Sequence, residues 1–356
     1  MANSLTRSVD VVVIGGGPAG SAAAIWCARR GLDAMVVERE RFPRHRPGET
    51  LHPAAEVLFG QLGVMDAVAR CNFLRHEGTW AEWAGPRRFT SFGSDSDGPW
   101  RGFQAPRDRL DRVLLDAAID AGVSVQQPAR ATQLLREDGR VTGVATADIT
   151  VAATWVVDAG GGQHWLARQL DIRRRFASPR LIARYGYARG QYPVPYEGPE
   201  IRSDEHGWTW TAQVATDLYQ WTRLSFSEND PGRDTPPAVF RALTALGPPR
   251  GADVRWRIVE RPAGRGYLCS GDAATVLDPA SSHGVLRALM SGMMAGHVIT
   301  ECERGAVPAA AAIRDYHAWI TNQFDTDVTA LGDFYRSLDK PPHWVLPATF
   351  LRTLSS

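Results

Sequence analysis

The sequence is poor in cysteine and has no segment suited to crossing a membrane. Its four cysteines, Cys27, Cys71, Cys269 and Cys302, form no C-x-x-C pair and have no histidines at metal-ligand spacing beside them. They are therefore expected to be reduced, buried side chains. No apolar run reaches the ~18 residues of a membrane helix, and the first eight residues lack the pattern of a signal peptide. The sequence predicts a cytoplasmic protein without membrane contact.

The chain also lacks an excess of charge of either sign. Forty basic residues against 39 acidic ones give a net charge of +1, so no global field would recruit nucleic acid or anionic lipid. With 44% apolar residues over 356 positions, the composition is globular, excludes disordered and coiled-coil proteins, and favours two domains. Lys340 is the only lysine. A mechanism that needs a lysine amine therefore has a single candidate.

The amino-terminal segment has the pattern of a βαβ unit that binds a dinucleotide. A short apolar strand at 9–14 leads into Gly15-x-Gly17-x-x-Gly20, an alanine-rich helix and a second strand that ends at Glu38. The glycines permit a tight turn and close approach to a pyrophosphate, the helix offers unpaired N–H groups, and Glu38 can accept ribose hydroxyls. The pattern predicts an adenine dinucleotide site.

The rest of the chain alternates between helical and strand periodicity. Residues 173–260 alternate polar with aromatic or β-branched side chains, which predicts an antiparallel sheet with one covered face. A turn at Asp138 and Gly139 lies between strand patterns at 123–126 and 141–145 and gives a hairpin-like signal. The other expected elements are helices at 54–70, 108–121 and 285–300, antiparallel strands within 80–92, a strand at 154–158 and a mostly helical remainder.

Four motifs in one order resemble those of a known flavoprotein group. They are the Gly15–Gly20 loop, Phe42-Pro-Arg-His-Arg-Pro-Gly-Glu49-Thr-Leu, Val157-Asp158-Ala-Gly-Gly, and the run from Gly271-Asp272 to Gly284. The group contains aromatic hydroxylases of the para-hydroxybenzoate hydroxylase type, flavin-dependent halogenases and geranylgeranyl reductases, and the pattern spans most of the chain. The resemblance implies an α/β fold: a Rossmann-type FAD-binding domain, a mostly antiparallel β-sheet substrate domain and a helical C-terminal tail.

The resemblance also implies domain boundaries and cofactor contacts. The FAD-binding domain would comprise 1–75, 100–170 and 262–305, the substrate domain 76–99 and 171–261, and the helical tail 306–356. Asp272 would bind the ribityl chain, and Pro279 to Gly284 would run beside the isoalloxazine ring. Asp158 lies in a motif where Gly161 and Gly162 replace the usual polar residues. The predicted cofactor-binding set is Gly15, Gly17, Ala19, Gly20, Glu38, Arg39, Arg44, Glu49, Thr50, Arg107, Asp158, Gly271, Asp272, Pro279, Ser282, His283, Gly284 and Val285.

The residues that distinguish the halogenases within this group are only partly present. Halogenases resemble one another in a lysine within F-x-x-K-x-G and in a Trp-x-Trp-x-Ile-Pro run. Here His76 stands at the lysine position, while Trp208 and Trp210 keep the tryptophans without Ile-Pro. The resemblance therefore favours oxygen transfer over halogenation, with Trp208 and Trp210 in an aromatic substrate pocket.

The predicted activity is an FAD-dependent monooxygenase that hydroxylates an electron-rich aromatic ring through a flavin C4a-hydroperoxide. Such a reaction needs a ring held close with water excluded, and a base helps. His52, His76 and His283 are the candidate catalytic residues, because they lie in segments expected at the flavin and histidine suits proton transfer near pH 7. The chain is shorter than dedicated tryptophan halogenases and resembles the halogenase-like flavoproteins that modify protein-bound tryptophan during tryptophylquinone cofactor maturation.

Several alternatives stay open at the sequence level. A halogenase, a geranylgeranyl reductase-type enzyme and a non-catalytic flavin protein would share the same FAD motifs. NADPH or NADH would supply electrons, directly or through a separate flavin reductase, and O2 would be the oxidant. The expected partner is an aromatic substrate, free or within a protein or peptide.

Overall fold

The computed structural model of the protein describes residues 5–227 and 230–345. These residues form seven α-helices, and one turn of 3₁₀ helix, Pro279–Ser281, matters for the site. The helices are α1 Pro18–Ala28, α2 Ala55–Gln61, α3 Met65–Ala69, α4 Arg107–Asp120, α5 Trp165–Gln169, α6 Gly284–Glu303 and α7 Ala309–Arg336.

The strands are short apart from those at the centres of the two large sheets. In chain order they are β1 Leu5–Ile14, β2 Ala34–Val37, β3 Thr50–Leu51, β4 Leu74–His76, β5 Gly78–Glu82, β6 Arg88–Ser91, β7 Ser94–Asp95, β8 Gly98–Pro99, β9 Gly102–Gln104, β10 Ser124–Gln126, β11 Gln133–Glu137, β12 Arg140–Ala145, β13 Ile149–Asp158, β14 Arg174–Phe176, β15 Ile182–Arg189, β16 Glu200–Asp204, β17 Gly207–Ala215, β18 Leu218–Ser225, β19 Thr244–Ala245, β20 Arg250–Asp253, β21 Arg257–Val259, β22 Ala263–Gly264, β23 Tyr267–Cys269 and β24 Thr275–Val276.

The first large sheet is the expected Rossmann-type sheet. Its order is β10-β2-β1-β13-β12-β11, and β10, β2, β1 and β13 pair in parallel, as does β23 with β13. Val11, Val12 and Val13 are completely buried. A strand buried on both faces needs a continuous apolar run, which is what these β-branched residues supply. The carboxyl ends of β1, β13 and β23 therefore meet at one edge, where open α/β sheets bind ligands.

The second large sheet covers that edge. Its order is β19-β15-β18-β17-β16-β5-β6, with β20 also beside β15, and β16–β5 is its parallel pair among antiparallel ones. The mostly antiparallel character predicted for 173–260 is confirmed. The segment boundaries proposed for the two domains remain a prediction.

Two local expectations were wrong. The helix expected over 54–70 is two helices, α2 and α3, because the chain turns at Gly63 with a φ of +60°. The strand at 123–126 does not pair with the one at 141–145. Instead β10 pairs in parallel with β2, and the hairpin around Asp138 and Gly139 joins β11 to β12.

Helix α7 is the main element of the carboxyl-terminal segment. Its buried side chains recur every three or four positions, as expected for one helical face packed on a core. They are Ala312, Tyr316, Ile320, Phe324, Val328, Leu331, Gly332 and Tyr335. The helical prediction for 306–356 holds for 309–336, and positions 346–356 lie outside the described residues. Among the helices described, none combines the length and apolar character of a membrane span.

Candidate functional site

A cavity of about 1110 Å³ lies between the carboxyl edge of the parallel sheet and the underside of the antiparallel sheet. It exceeds the roughly 300–1,000 Å³ of typical ligand pockets. Fifteen of the eighteen predicted cofactor-binding residues line it: Gly15, Gly17, Ala19, Glu38, Arg39, Arg44, Glu49, Thr50, Arg107, Gly271, Asp272, Pro279, Ser282, Gly284 and Val285. The cavity is large enough for a dinucleotide and a small aromatic ring together.

The glycine loop after β1 forms one end of this cavity. Gly15 has a φ of +97°, and a Cβ there would lie 2.5 Å from the Ala159 carbonyl oxygen. Gly20 does not line the cavity. A Cβ at Gly20 would lie 1.8 Å from the Gly15 carbonyl oxygen, so this glycine allows α1 to pack on the loop. Helix α1 has no acidic residue in its first turn, which leaves its positive end open to an anion.

Glu38 follows β2 and is held in a fixed orientation. Its Oε2 accepts a hydrogen bond from the Gly16 N–H at 2.8 Å, and its Oε1 accepts one from the Glu40 N–H at 2.8 Å. Both donors are backbone groups, so the carboxylate is tied to the glycine loop while it borders the cavity. A carboxylate at this position can accept a hydrogen bond from a ribose hydroxyl.

Two arginines share one buried carboxylate beside the loop. Asp111 is completely buried and accepts from Arg107 Nε at 2.8 Å and from Arg107 Nη2 at 3.1 Å, while Arg44 Nη1 lies 3.2 Å from it. Arg44 Nε and Nη1 are buried without a hydrogen-bond partner. Two cations against one anion leave positive charge facing the cavity. These orphaned donors, the glycine cradle and Glu38 fit the pyrophosphate and adenosine of FAD.

The motif that begins at Gly271 and Asp272 places a carboxylate on the cavity wall. Gly271 has a φ of +58°, and Asp272 follows it on the cavity wall. Burial raises the pKa of Asp272, while the positive charges of Arg287, Arg107 and Arg257 oppose that rise. A carboxylate here can accept hydroxyl hydrogen bonds, which is compatible with the ribityl chain expected from the sequence.

Asp158 does not line the cavity, contrary to the sequence prediction. It is completely buried, and its two oxygens accept from the Gly160 N–H at 2.9 Å and the Leu166 N–H at 2.8 Å. The carboxylate thus holds the glycine turn after β13 and the start of α5. Its lone pairs are used by the backbone, so it acts on the site only through the wall formed by Gly161 and Gly162.

Arg257 and His164 are site features that sequence reasoning missed. Arg257 lines the cavity, and its Nε donates to His164 Nε2 at 2.9 Å. The Nδ1–H of His164 donates to the Ala273 carbonyl at 2.9 Å, which fixes the neutral tautomer. Burial lowers the pKa of His164 to about 4. Ninety-three residues separate this pair along the chain, and no motif links them.

The antiparallel sheet supplies the opposite wall. Tyr185, Trp210, Gln220 and Thr222 face the cavity. Trp208 does not, which corrects its assignment to a substrate pocket: its side chain is completely buried, and its Nε1 donates to the Tyr335 hydroxyl at 2.7 Å. Side chains two positions apart on a strand point to the same face of the sheet, so Trp208 and Trp210 share a face. The difference between them therefore reflects core packing at the end of the sheet.

Glu49, in the motif at 42–51, connects that segment to the antiparallel sheet. The Tyr187 hydroxyl donates to Glu49 Oε1, and the Gly48 N–H donates to Oε2 at 2.9 Å. Burial raises the pKa of Glu49. A smaller cavity of about 210 Å³ adjoins here and shares Glu49, Arg107 and Tyr185 with the large one.

The three candidate catalytic histidines form a cluster with Phe92, and none lines the large cavity. The His52 ring lies 5.6 Å from His283 and 5.0 Å from Phe92, and His76 lies 5.3 Å from Phe92. His76 is 9% exposed, and both its ring nitrogens are buried without a partner. Burial lowers the pKa of His76 to about 4 and lowers the pKa of both His52 and His283. The cluster is therefore uncharged near pH 7.

The single lysine is remote from this constellation. Lys340 is exposed, and its Nζ lies 3.1 Å from Glu205. No lysine lines the cavity in the part of the chain that the structure describes. The cavity wall formed by the described residues therefore offers no lysine amine.

Comparison with known proteins gives two family matches. The FAD binding domain family matches residues 8–186, and the tryptophan halogenase family matches residues 98–290. A tryptophan 2-halogenase of Chondromyces crocatus is 27% identical over 366 residues, covering 93% of this chain and 68% of that protein. A menaquinone reductase of Mycobacterium tuberculosis is 30% identical over 336 residues, which cover 83% of this chain and 78% of that protein.

The fold comparison agrees. The myxobacterial chondrochloren halogenase, described as a variant of the FAD-dependent halogenases, superimposes with a TM-score of 0.86 at 24% identity. The alignment covers 98% of this chain and 88% of that structure. At this identity the likeness establishes the fold.

Proposed function

Because the chain belongs to the FAD-dependent family that includes the tryptophan halogenases, we propose that it oxidatively modifies an electron-rich aromatic ring held beside FAD. The observation that carries this proposal is one continuous cavity that runs from Glu38, at the dinucleotide end, to Trp210 under the antiparallel sheet. A cofactor and a flat substrate would share that space.

Two reactions are candidates, and different observations favour them. The family match and the tryptophan 2-halogenase relative favour halogenation, the alternative to the hydroxylation expected from the sequence. The missing amine favours hydroxylation, because His76 replaces the halogenase lysine and Lys340 lies elsewhere. We place halogenation first, with His76 in the role of the lysine, and hydroxylation second.

The residues of this chain would prepare either reaction. The α1 N-terminus, Arg44 and Arg107 would hold the pyrophosphate, Glu38 the ribose and Asp272 the ribityl chain. Bound reduced FAD would supply the electrons that activate O2. The antiparallel sheet would exclude water from the ring and fix its orientation.

His76 and its neighbours would handle the proton. His76 does not line the large cavity, so its role requires that the reacting species reach the histidine cluster. There, as a neutral imidazole with two unpartnered nitrogens, it would hydrogen-bond a hypohalous acid or accept the proton that leaves the ring. His52, whose ring lies 5.0 Å from Phe92 and 5.6 Å from His283, would keep the surroundings of His76 uncharged and partly apolar. Electrons would come from NADPH or NADH, directly or through a separate flavin reductase.

The test is to give the reduced holoenzyme O2 and a panel of indoles, phenols and pyrroles, with chloride, with bromide, and without halide. Mass spectrometry separates a product in which halogen replaces hydrogen from one that gained an oxygen atom. A halogenated product supports the first candidate, and an oxygenated product formed in all three conditions supports the second. Flavin reoxidation with no modified ring in any condition would contradict both and favour a reductase.

A matched variant removes the only amine that could compete with His76. Lys340→Arg keeps the charge beside Glu205 and deletes the lysine. Halogenation should be unchanged in this variant. Its loss would show that Lys340 takes part in the reaction and would contradict the role proposed for His76.

A further inference from the structure

Asp278 is a buried carboxylate at the start of the turn that borders the cavity. Its side chain is completely buried, and its Oδ1 accepts from the Ala280 N–H at 2.9 Å. Its backbone carbonyl accepts from Ser281 Oγ at 2.9 Å. Asp278 thereby caps the 3₁₀ turn Pro279–Ser281, which lines the cavity together with Ser282 and Gly284.

The second oxygen of Asp278 connects this turn to distant parts of the fold. Oδ2 accepts from Trp256 Nε1 at 2.6 Å and from the Tyr335 hydroxyl at 3.0 Å. The Tyr335 oxygen in turn accepts from Trp208 Nε1 at 2.7 Å. A continuous hydrogen-bonded chain therefore runs from β17 through α7 to the cavity turn.

No cation forms an ion pair with Asp278 among the described residues. Arg287, whose charge opposes the rise in the Asp278 pKa, pairs with Asp327 at 2.9 Å and donates to Ser281 Oγ at 2.7 Å. Burying a carboxylate against neutral donors alone is costly compared with an apolar core of the same shape. The arrangement is hard to account for as a device for stability.

We propose that Asp278 and Tyr335 are positioning residues for the flavin: with Trp208 and Trp256 they fix the turn at 279–284 against helix α7, and so set the affinity and environment of the bound ring. The proposal rests on the proposed function only in taking FAD as the ligand. It also gives a reason for the buried position of Trp208, which acts on the site through Tyr335.

The chain of donors depends on an ionised Asp278. The two indole N–H groups can only donate, and Tyr335 donates its single hydroxyl proton to Asp278 while accepting from Trp208. A protonated carboxyl would leave its own O–H without an acceptor unless the Tyr335 hydroxyl turned away. Burial raises the pKa of Asp278 to about 6, although its hydrogen bonds and the positive charge of Arg287 oppose the rise. The charge of Arg287 is itself paired with the Asp327 carboxylate. The turn should therefore loosen as pH falls below about 6.

The test compares Tyr335→Phe and Asp278→Asn with the wild type in FAD titrations by fluorescence quenching and by the absorption spectrum of the bound flavin. Tyr335→Phe loses one hydrogen bond to a charged group, so FAD should bind about tenfold more weakly with a shifted spectrum. In the wild type the dissociation constant should rise as pH falls through about 6, and in Asp278→Asn it should not follow pH there. If Asp278→Asn does not fold, Trp256→Phe replaces it; this variant removes one donor to the carboxylate, so the pH dependence should remain but move to higher pH.

Tyr267→Phe is the matched control. It removes a buried tyrosine hydroxyl that donates to the Arg261 carbonyl at 3.3 Å, and neither residue lines the cavity. It should leave FAD affinity, spectrum and pH profile unchanged. The proposal is overturned if Tyr335→Phe matches the wild type in all three, or if Tyr267→Phe alters them equally. A wild type that binds no FAD would overturn the proposed function itself, which is a separate result.

Discussion

At the scale of single residues, His76 is the side chain on which the chemistry depends most. It has two free, buried nitrogens, and the motif resemblance predicts that it occupies the position of the halogenase lysine. Since proton transfer by a positioned side chain contributes about 10²–10⁴-fold, His76→Gln should lower kcat by about 10²-fold while FAD affinity stays the same. Single-turnover product formation measures the first, and flavin titration the second.

The control for that variant is His317→Gln, on helix α7 and absent from the cavity wall and from the histidine cluster. It should turn over like the wild type. Equal rates for His76→Gln and the wild type would remove His76 from the mechanism.

Glu38 gives a second prediction at this scale, now for cofactor binding. Its carboxylate accepts from the Gly16 N–H of the glycine loop and from the Glu40 N–H. In Glu38→Gln one of these donors would face an amide NH₂, so we expect FAD to bind roughly 10–100-fold more weakly, in line with the ~1.5–3 kcal/mol of a hydrogen bond to a charged group. Equilibrium dialysis against FAD measures it. Glu137→Gln, on the exposed end of β11, is the comparison, and an affinity within twofold of the wild type would contradict the role of Glu38.

At the scale of secondary-structure elements, local pattern predicted what depends on neighbours in sequence. The apolar run of β1 and the glycines after it required a buried strand and a tight turn whatever surrounded them. Pairing partners were not encoded in the same way: nothing within 123–126 says that β10 joins β2 rather than the strand after Asp138. Likewise the break between α2 and α3 depends on one glycine, Gly63, whose positive φ a hydrophobic stripe does not reveal.

The junction between the antiparallel sheet and helix α7 is the element-scale contact that we expect to matter most for stability. Trp83 stacks on Phe334 with ring centroids 3.9 Å apart, and its Nε1 donates to the Phe334 carbonyl at 2.8 Å. Trp83→Ala should lower the free energy of unfolding by about 3–5 kcal/mol, as for other large core truncations. Chemical denaturation monitored by circular dichroism measures the loss.

Trp100→Ala is the matched control, because Trp100 is 46% exposed. Its removal should cost about 1 kcal/mol or less, the range of surface substitutions and single hydrogen bonds. A Trp83 variant no less stable than the Trp100 variant would show that α7 is held to the sheet by other contacts.

At the scale of the whole molecule, the site combines residues that motifs predicted with residues that only folding brings together. Glu38, Glu49 and Asp272 belong to motifs whose backbone geometry carries the chemistry, so their places on the cavity wall could be expected. Arg257 meets His164, and His52 meets His283, through long-range packing alone. Trp208 shows the opposite error, since its motif predicts a pocket residue although its indole packs in the core.

Burial of uncharged histidine also couples the fold as a whole to pH. The His76 pKa falls from its ordinary 6.5 to about 4 on folding, so between these values the unfolded chain binds a proton that the folded chain does not. The stability present above pH 6.5 is therefore lost as pH falls towards 4, by about 3 kcal/mol for this one group at ~1.36 kcal/mol per pKa unit.

Asp278, whose pKa is raised to about 6, acts in the opposite direction, so the comparison must isolate His76. We expect the stability of the wild type relative to His76→Gln to decrease by about that amount between pH 7 and pH 4, measured by urea denaturation at each pH. A difference that stays constant across this range would mean that His76 takes up its proton in the folded protein as readily as in the unfolded chain, so that burial does not lower its pKa.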